Sequence, residues 1–172
     1  MSNPLDQLRD NHSDFSRNQE AFHFTDPFLA FETWFNLAVS SGEKEANAMV
    51  ISTVNEAMKP SSRVVYLKEI ANQQFVFYTN YLSHKGKDLQ QNPNASLLFF
   101  WPGLERQIRI EGTVNRISEA ESDAYFASRP RESQLGAWAS HQSEPLKEMG
   151  EITQRFKELE QEFPGEVPRP KH

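Results

Sequence analysis

The run Arg63-Val64-Val65-Tyr66-Leu67-Lys68 sets two cations in an otherwise apolar, strand-forming stretch. On a regular strand Arg63 and Lys68 project to opposite faces. A buried cation is costly unless an anion or a partner meets it, although a surface strand with snorkelling side chains fits the same pattern. A second cluster runs from Tyr78-Thr79-Asn80 to Ser83-His84-Lys85. It combines a strand end, hydroxyls, a cation and a helix start. Free amides, the helix dipole and Lys85 would together hold a phosphate; plain capping by Ser83 explains the cluster equally well. Tyr125, Arg129 and Ser133 are spaced four apart, so they share a face if helical geometry survives Pro130. Phenol, guanidinium and hydroxyl all donate to phosphate; a solvated helix face carrying one Arg is the alternative. Gln107, between Arg106 and Arg109, suits the polar edge of a heterocycle, or is an ordinary exposed strand amide.

Other chemistries find little support. The histidines His12, His23, His84, His141 and His172 lack metal-ligand spacing, so no metal site is expected. With no cysteine, thiolate metal sites, disulfides and Cys nucleophiles are excluded. No G-x-S-x-G elbow or Gly-rich nucleotide loop occurs, and seven glycines do not support a Rossmann reading. Two candidate phosphate sites without an evident nucleophile suggest that a bound cofactor carries the chemistry. No catalytic side chain stands out.

The elements that must position these residues read as follows. Residues 1–25 are polar and aperiodic, as in a mobile arm. Asp26-Pro27 starts a helix, with Phe28, Phe31, Trp34, Phe35 and Ala38 on one face and Ser40-Ser41-Gly42 at its end. Three strand-like runs follow, Ala48 to Val54, Ser62 to Ile70 and Gln74 to Thr79, joined by short turns as in an antiparallel meander. Ser83 to Gln91 reads as a short helix, and Ala95 to Trp101 and Gln107 to Val114 as further strands. Five such strands suggest a small barrel, because closure removes exposed edges. Ser118 and Glu121 match a capping box. Pro130 interrupts the next helical stretch, and Pro145 is expected to open a last helix that Phe163-Pro164-Gly165 stops. The fold class is therefore mainly β with flanking helices (α+β).

The 172 residues suffice for one domain over 26–172, and 13 phenylalanines make much of its core aromatic. The net charge is −6. From Lys59 to Arg131, however, ten Lys and Arg stand against seven Asp and Glu, so this middle stretch is mildly basic. That pattern suits a small anionic ligand better than nucleic acid, and ordinary surface variation also produces it. No run is long enough to span a bilayer, and Met1 to Asn11 lacks the order of a signal peptide. Composition thus fits a soluble, cytoplasmic protein with no membrane partner.

Several stretches, in this order, resemble pyridoxine/pyridoxamine 5′-phosphate oxidases. They are Asp26-Pro27 with Trp34, Ala48-Met49-Val50, Arg63 through Lys68, Phe77-Tyr78-Thr79-Asn80, Leu104-Glu105-Arg106-Gln107, Tyr125-Phe126, Ser128-Arg129-Pro130-Arg131-Glu132-Ser133-Gln134, Gly136-Ala137-Trp138 and Gln142-Ser143. The resemblance implies an antiparallel FMN-binding split β-barrel, forming a homodimer with FMN at the subunit interface. It implies oxidation of pyridoxine or pyridoxamine 5′-phosphate to pyridoxal 5′-phosphate, with dioxygen giving hydrogen peroxide. By the same resemblance Arg63, Val64, Val65, Tyr66, Leu67, Lys68, Tyr78, Thr79, His84, Lys85, Gln107, Gln142 and Ser143 contact FMN. Lys68, Tyr125, Arg129 and Ser133 hold the phosphorylated substrate, and Arg9 matches an arm position that can cover it. Two departures stand out. His84 replaces a usual Arg, and the sequence ends at Pro170-Lys171-His172, where the family continues with a Trp-Gly-Gly segment. The domain is accordingly expected to be C-terminally incomplete. A non-catalytic FMN- or pyridoxal-phosphate-binding protein, or a related flavin oxidase such as those of phenazine biosynthesis, are the competing readings.

Overall fold

The computed structural model describes residues 24–146, 148 and 150–172. Arg9 and the expected arm lie outside the described residues, apart from Phe24 and Thr25. The helices are α1 (Pro27–Ser40), α2 (His84–Gln91), α3 (Glu119–Ser128), α4 (Arg131–Ala139) and α5 (Glu151–Glu162). The strands are β1 (Ala48–Val54), β2 (Pro60–Tyr66), β3 (Glu69–Ala71), β4 (Gln74–Val76), β5 (Asn94–Trp101) and β6 (Arg106–Thr113). The chain divides into two compact units: the described residues up to Asn47 with Phe99–Ile108, and Ala48–Leu98 with Arg109–His172.

The first unit is built on aromatic packing. Asp26 caps α1 by accepting from the Phe28 amide at 2.8 Å, and Pro27 supplies the preset φ of a first helical residue. The α1 periodicity buries Ala30, Phe31 and Ala38. Phe31 meets Phe99 edge-on at 4.9 Å between centroids. Trp101 is 2 % exposed, and its indole N–H is satisfied by the Ala46 carbonyl at 2.9 Å.

In the second unit β1 and β2 pair antiparallel along their whole length, from Ala48↔Tyr66 to Val54↔Pro60. Alternation puts Met49, Ile51 and Thr53 of β1 on the buried face. Their antiparallel partners Val65, Arg63 and Ser61 share that face. α2 packs against β1. α4 and α5 enclose a smaller core of Phe126, Leu135 and Val167, with Trp138, Phe156 and Leu159 around it.

Sheet order is β2-β1-β5-β6, with β3 and β4 forming a separate two-stranded hairpin. The fold is a mixed one, an antiparallel sheet flanked by helices, and among the described residues its strands do not close into a barrel. The run expected as one strand from Ser62 to Ile70 breaks at Leu67-Lys68. Asn72 and Gln73 both take positive φ, 51° and 61°. This double left-handed turn matches hairpin twist and draws β3 onto β4, with Glu69 opposite Val76. The last helix starts at Glu151 rather than at Pro145, with Gly150 as its N-cap. At this boundary Gly150 avoids the cost of about 1 kcal/mol, relative to Ala, of a glycine in a helix interior.

Candidate functional site

The second unit gathers most of the sequence-predicted residues around the start of α2. Asn80 accepts from the Leu82 amide at 2.7 Å, turning the chain. Ser83 is fully buried; its hydroxyl donates to the Asn80 carbonyl at 2.6 Å and accepts from the Gly86 amide at 3.3 Å. A helix leaves its first amides without intrahelical acceptors; here Ser83 takes that of Gly86. Gly86 lets the helix start press against the preceding loop, since a Cβ there would lie 2.7 Å from the Asn80 carbonyl oxygen.

Lys85, on the first turn, is 6 % exposed. Its ammonium donates to Gln142 Oε1 at 2.7 Å and to Ser83 Oγ at 3.3 Å. Thr79 reaches the same Gln142 oxygen at 3.5 Å. Burial, and secondarily the charge of Arg63, lower the Lys85 pKa to about 8. Arg63 enters from β2. One terminal nitrogen donates to Thr53 Oγ1 at 2.8 Å and to the Ser61 carbonyl at 3.2 Å, the other to Ser61 Oγ at 2.6 Å. Burial lowers the Arg63 pKa, and Asp88 partly offsets this. A guanidinium has five N–H donors and an ammonium three, so both cations keep donors beyond these bonds.

These facts test the fit of a phosphate. Two desolvated cations repel one another, both retain donors, and no carboxylate pairs with Lys85 among the described residues. A phosphate at this point would relieve the repulsion and take the spare donors. The residues present fit the phosphate of FMN.

The remaining predicted residues fall as follows. Val65 and Leu67 are buried, while Val64, Tyr66 and Lys68 are exposed; β2 ends at Tyr66, so Lys68 lies beyond the strand that carries Arg63. The Lys68 ammonium sits 5.3 Å from the Tyr66 ring centroid. His84 is exposed, 3.6 Å from Asp88. Ser143 is exposed with φ +71°, a conformation uncommon for a side-chain-bearing residue. Gln107 is exposed on β6, within the first unit. Tyr78 and Tyr125 stack face to face, 3.5 Å between centroids and 6° between planes. One cofactor candidate and one substrate candidate are therefore in direct contact. Burial, with nearby Glu69 and Tyr125, raises the Tyr78 phenol pKa.

The shared helix face expected for Tyr125, Arg129 and Ser133 does not exist. Arg129 is extended at ψ 150° and ends α3, and Pro130 caps α4, because a proline disfavours helical geometry in the residue before it. Arg129 packs over Phe126 at 5.6 Å, and Ser133 lies in the first turn of α4.

Asp88 and Thr53 carry no assignment from the sequence, and Gln134 only membership of a motif. Asp88, buried on α2, accepts from Thr53 and Ser61. Thr53 had a signal: a hydroxyl in step with Met49 and Ile51 on the apolar face of β1. Gln134 donates its amide to the carbonyls of Phe126, Ala127 and Arg129 at 3.0 to 3.1 Å, binding the end of α3 to α4. It lay inside a recognised motif, but nothing in its residue type revealed the reach across the junction.

The pyridoxamine 5′-phosphate oxidase family model matches residues 38–163. The chain belongs to the pyridoxamine 5′-phosphate oxidase family. Within it, the pyridoxine/pyridoxamine 5′-phosphate oxidase of Leptospira biflexa serovar Patoc is 50 % identical over 169 residues, covering 98 % of this chain and 79 % of that protein. The enzyme of the same name from Burkholderia thailandensis is 46 % identical, covering 98 % and 78 %. Among solved structures, PhzG from Burkholderia lata, in complex with tetrahydrophenazine-1-carboxylic acid, superposes with a TM-score of 0.83 at 26 % identity, covering 89 % of this chain and 78 % of that one. A pyridoxamine 5′-phosphate oxidase-related, FMN-binding protein from Nostoc punctiforme shares the fold at TM-score 0.60 and 18 % identity, covering 76 % and 72 %. Among the described residues of this family member no His, Asp or Glu cluster could hold a metal, and no helix is long and apolar enough to cross a membrane.

Proposed function

We propose that the chain oxidises pyridoxine 5′-phosphate or pyridoxamine 5′-phosphate to pyridoxal 5′-phosphate, with FMN as cofactor and dioxygen as acceptor. The observation that carries this reading is the pair of desolvated cations, Arg63 on β2 and Lys85 at the start of α2, in a chain half identical to enzymes of that name. Arg63 and Lys85 hold the FMN phosphate, Ser83 fixes the helix start that carries Lys85, and Thr79 and Gln142 close the site in. Tyr78, assigned to FMN, stacks on Tyr125, assigned to the substrate. Arg129, Ser133 and Lys68 grip the substrate phosphate. FMN, when bound, would supply one chemistry: acceptance of a hydride from the substrate's 4′ carbon and its delivery, with a proton, to dioxygen as hydrogen peroxide, water releasing ammonia where the substrate is the amine. The residues supply binding and orientation, which set the 4′ carbon within reach. A split barrel, a homodimer with FMN between subunits and a cytoplasmic location belong to the same reading.

The phenazine-type alternative is less well supported, since identity to PhzG is 26 % against 50 % for the phosphate oxidase. The test supplies the chain with FMN, dioxygen and pyridoxine 5′-phosphate. Equal amounts of pyridoxal 5′-phosphate and hydrogen peroxide are expected. FMN binding without turnover of either phosphorylated vitamer would instead favour a non-catalytic flavoprotein.

A further inference from the structure

Asp88 is a buried carboxylate for which binding and catalysis as described have no use. It is 3 % exposed and lies on α2, one turn after His84. Its Oδ2 accepts from Thr53 Oγ1 at 2.7 Å and is 3.4 Å from Ser61 Oγ. It stands 3.9 Å from an Arg63 terminal nitrogen, longer than a hydrogen bond, and its other oxygen is 3.6 Å from His84. Asp88 therefore reaches Arg63 chiefly through the two hydroxyls.

A carboxylate can only accept. The Thr53 hydroxyl must spend its proton on Asp88, which turns its lone pairs towards the Arg63 N–H at 2.8 Å. Ser61, which accepts from the other Arg63 terminal nitrogen at 2.6 Å, is polarised the same way. Without the carboxylate both hydroxyls are free to rotate, and the guanidinium loses its fixed seat.

We infer that Asp88 is a positioning residue for the phosphate site: by accepting from Thr53 and Ser61 it orients both hydroxyls to hold Arg63 in phosphate-binding geometry. The inference rests on the FMN reading above. It carries a definite sign. A negative charge beside an anion site would by itself weaken phosphate binding, so removing it would tighten FMN; loss of positioning has the opposite effect.

The experiment titrates the flavin-free 172-residue chain with FMN and with riboflavin, which lacks the phosphate. Preference for FMN in the unaltered chain tests the phosphate reading itself; no preference overturns that reading and this inference with it. Given that preference, Asp88→Ala is expected to weaken FMN about tenfold, the worth of one charge-assisted hydrogen bond. Riboflavin should stay within about twofold of its original affinity on the same scale. Asp88→Asn keeps an acceptor oxygen and should restore most of the loss. In an Arg63→Ala background Asp88→Ala should add nothing. Equal losses for both flavins, an undiminished effect without Arg63, or tighter FMN binding would each overturn the assignment. If Asp88→Ala fails to fold, Thr53→Val decides. It removes one hydroxyl at constant shape and should weaken FMN while sparing riboflavin; unchanged FMN affinity would overturn the inference.

Discussion

Burial and the Arg63 charge hold the free Lys85 ammonium near pKa 8, and this makes the phosphate site sensitive to pH. Phosphate binding favours the charged form, so FMN affinity should be flat from about pH 7, where the phosphate is already dianionic, to pH 8, and fall as pH rises through it. In Lys85→Met this fall should vanish and affinity should be lower throughout; a parallel fall in the variant would locate the titration elsewhere. The stability sign is opposite. The folded pKa lies below the ordinary lysine value of 10.5, so between about 8 and 10.5 the unfolded chain binds more protons, and Lys85's contribution favours the flavin-free fold increasingly as pH rises. For the substrate, Arg129→Leu should raise KM for pyridoxine 5′-phosphate at a cost of about 1.5–3 kcal/mol. FMN content should hold, and unphosphorylated pyridoxine should be affected much less; flavin loss would move Arg129 to the cofactor site. At this scale Arg63 was legible, because strand alternation sets it in step with the buried Val65, whereas Lys68 lies past the end of β2 and alternation does not place it. The reach of Asp88 to Thr53 and Ser61 was not legible, since it depends on how α2 lies on β1.

Among the elements, α2 bears most directly on the site. Its start is fixed by Ser83 and by the close approach of Gly86 to the Asn80–Tyr81 backbone. Gly86→Ala should cost about 1–3 kcal/mol in overpacking and weaken FMN more than a surface substitution of equal stability cost. Unfolding in urea alongside FMN titration separates the two effects, and intact binding would show that the helix start tolerates displacement. The caps of α1, α2 and α3 were readable because Asp26, Ser83 and Ser118 each accept from an amide two or three residues on. The break between α3 and α4 was readable in Pro130, yet its consequence, Arg129 turned out of the helical face, follows only from the extended backbone. The turn between Ile70 and Gln74 was readable, although neither Asn72 nor Gln73 is a glycine and both take left-handed φ; the break at Leu67-Lys68, which sets β3 and β4 apart as their own hairpin, was not.

For the whole molecule, one domain with an aromatic core was expected, and the residue classes were visible, phenylalanines on α1 and interleaved cations and hydroxyls from Arg63 to Lys85. The barrel was read from the number of strands, which does not fix which strand edges find partners. On the outer face of β2, Val64 and Tyr66 are 59 % and 41 % exposed. A second copy covering them is expected in the homodimer, so light scattering on the FMN-loaded protein should give about twice the chain mass. A loaded monomer would contradict the assembly. The most direct test of the central claim mixes FMN-loaded protein with pyridoxine 5′-phosphate in the absence of dioxygen and follows the visible flavin absorbance. The account predicts bleaching with one pyridoxal 5′-phosphate formed per flavin, and recovery of colour with one hydrogen peroxide on admitting dioxygen. Flavin that stays oxidised with both phosphorylated vitamers would contradict it.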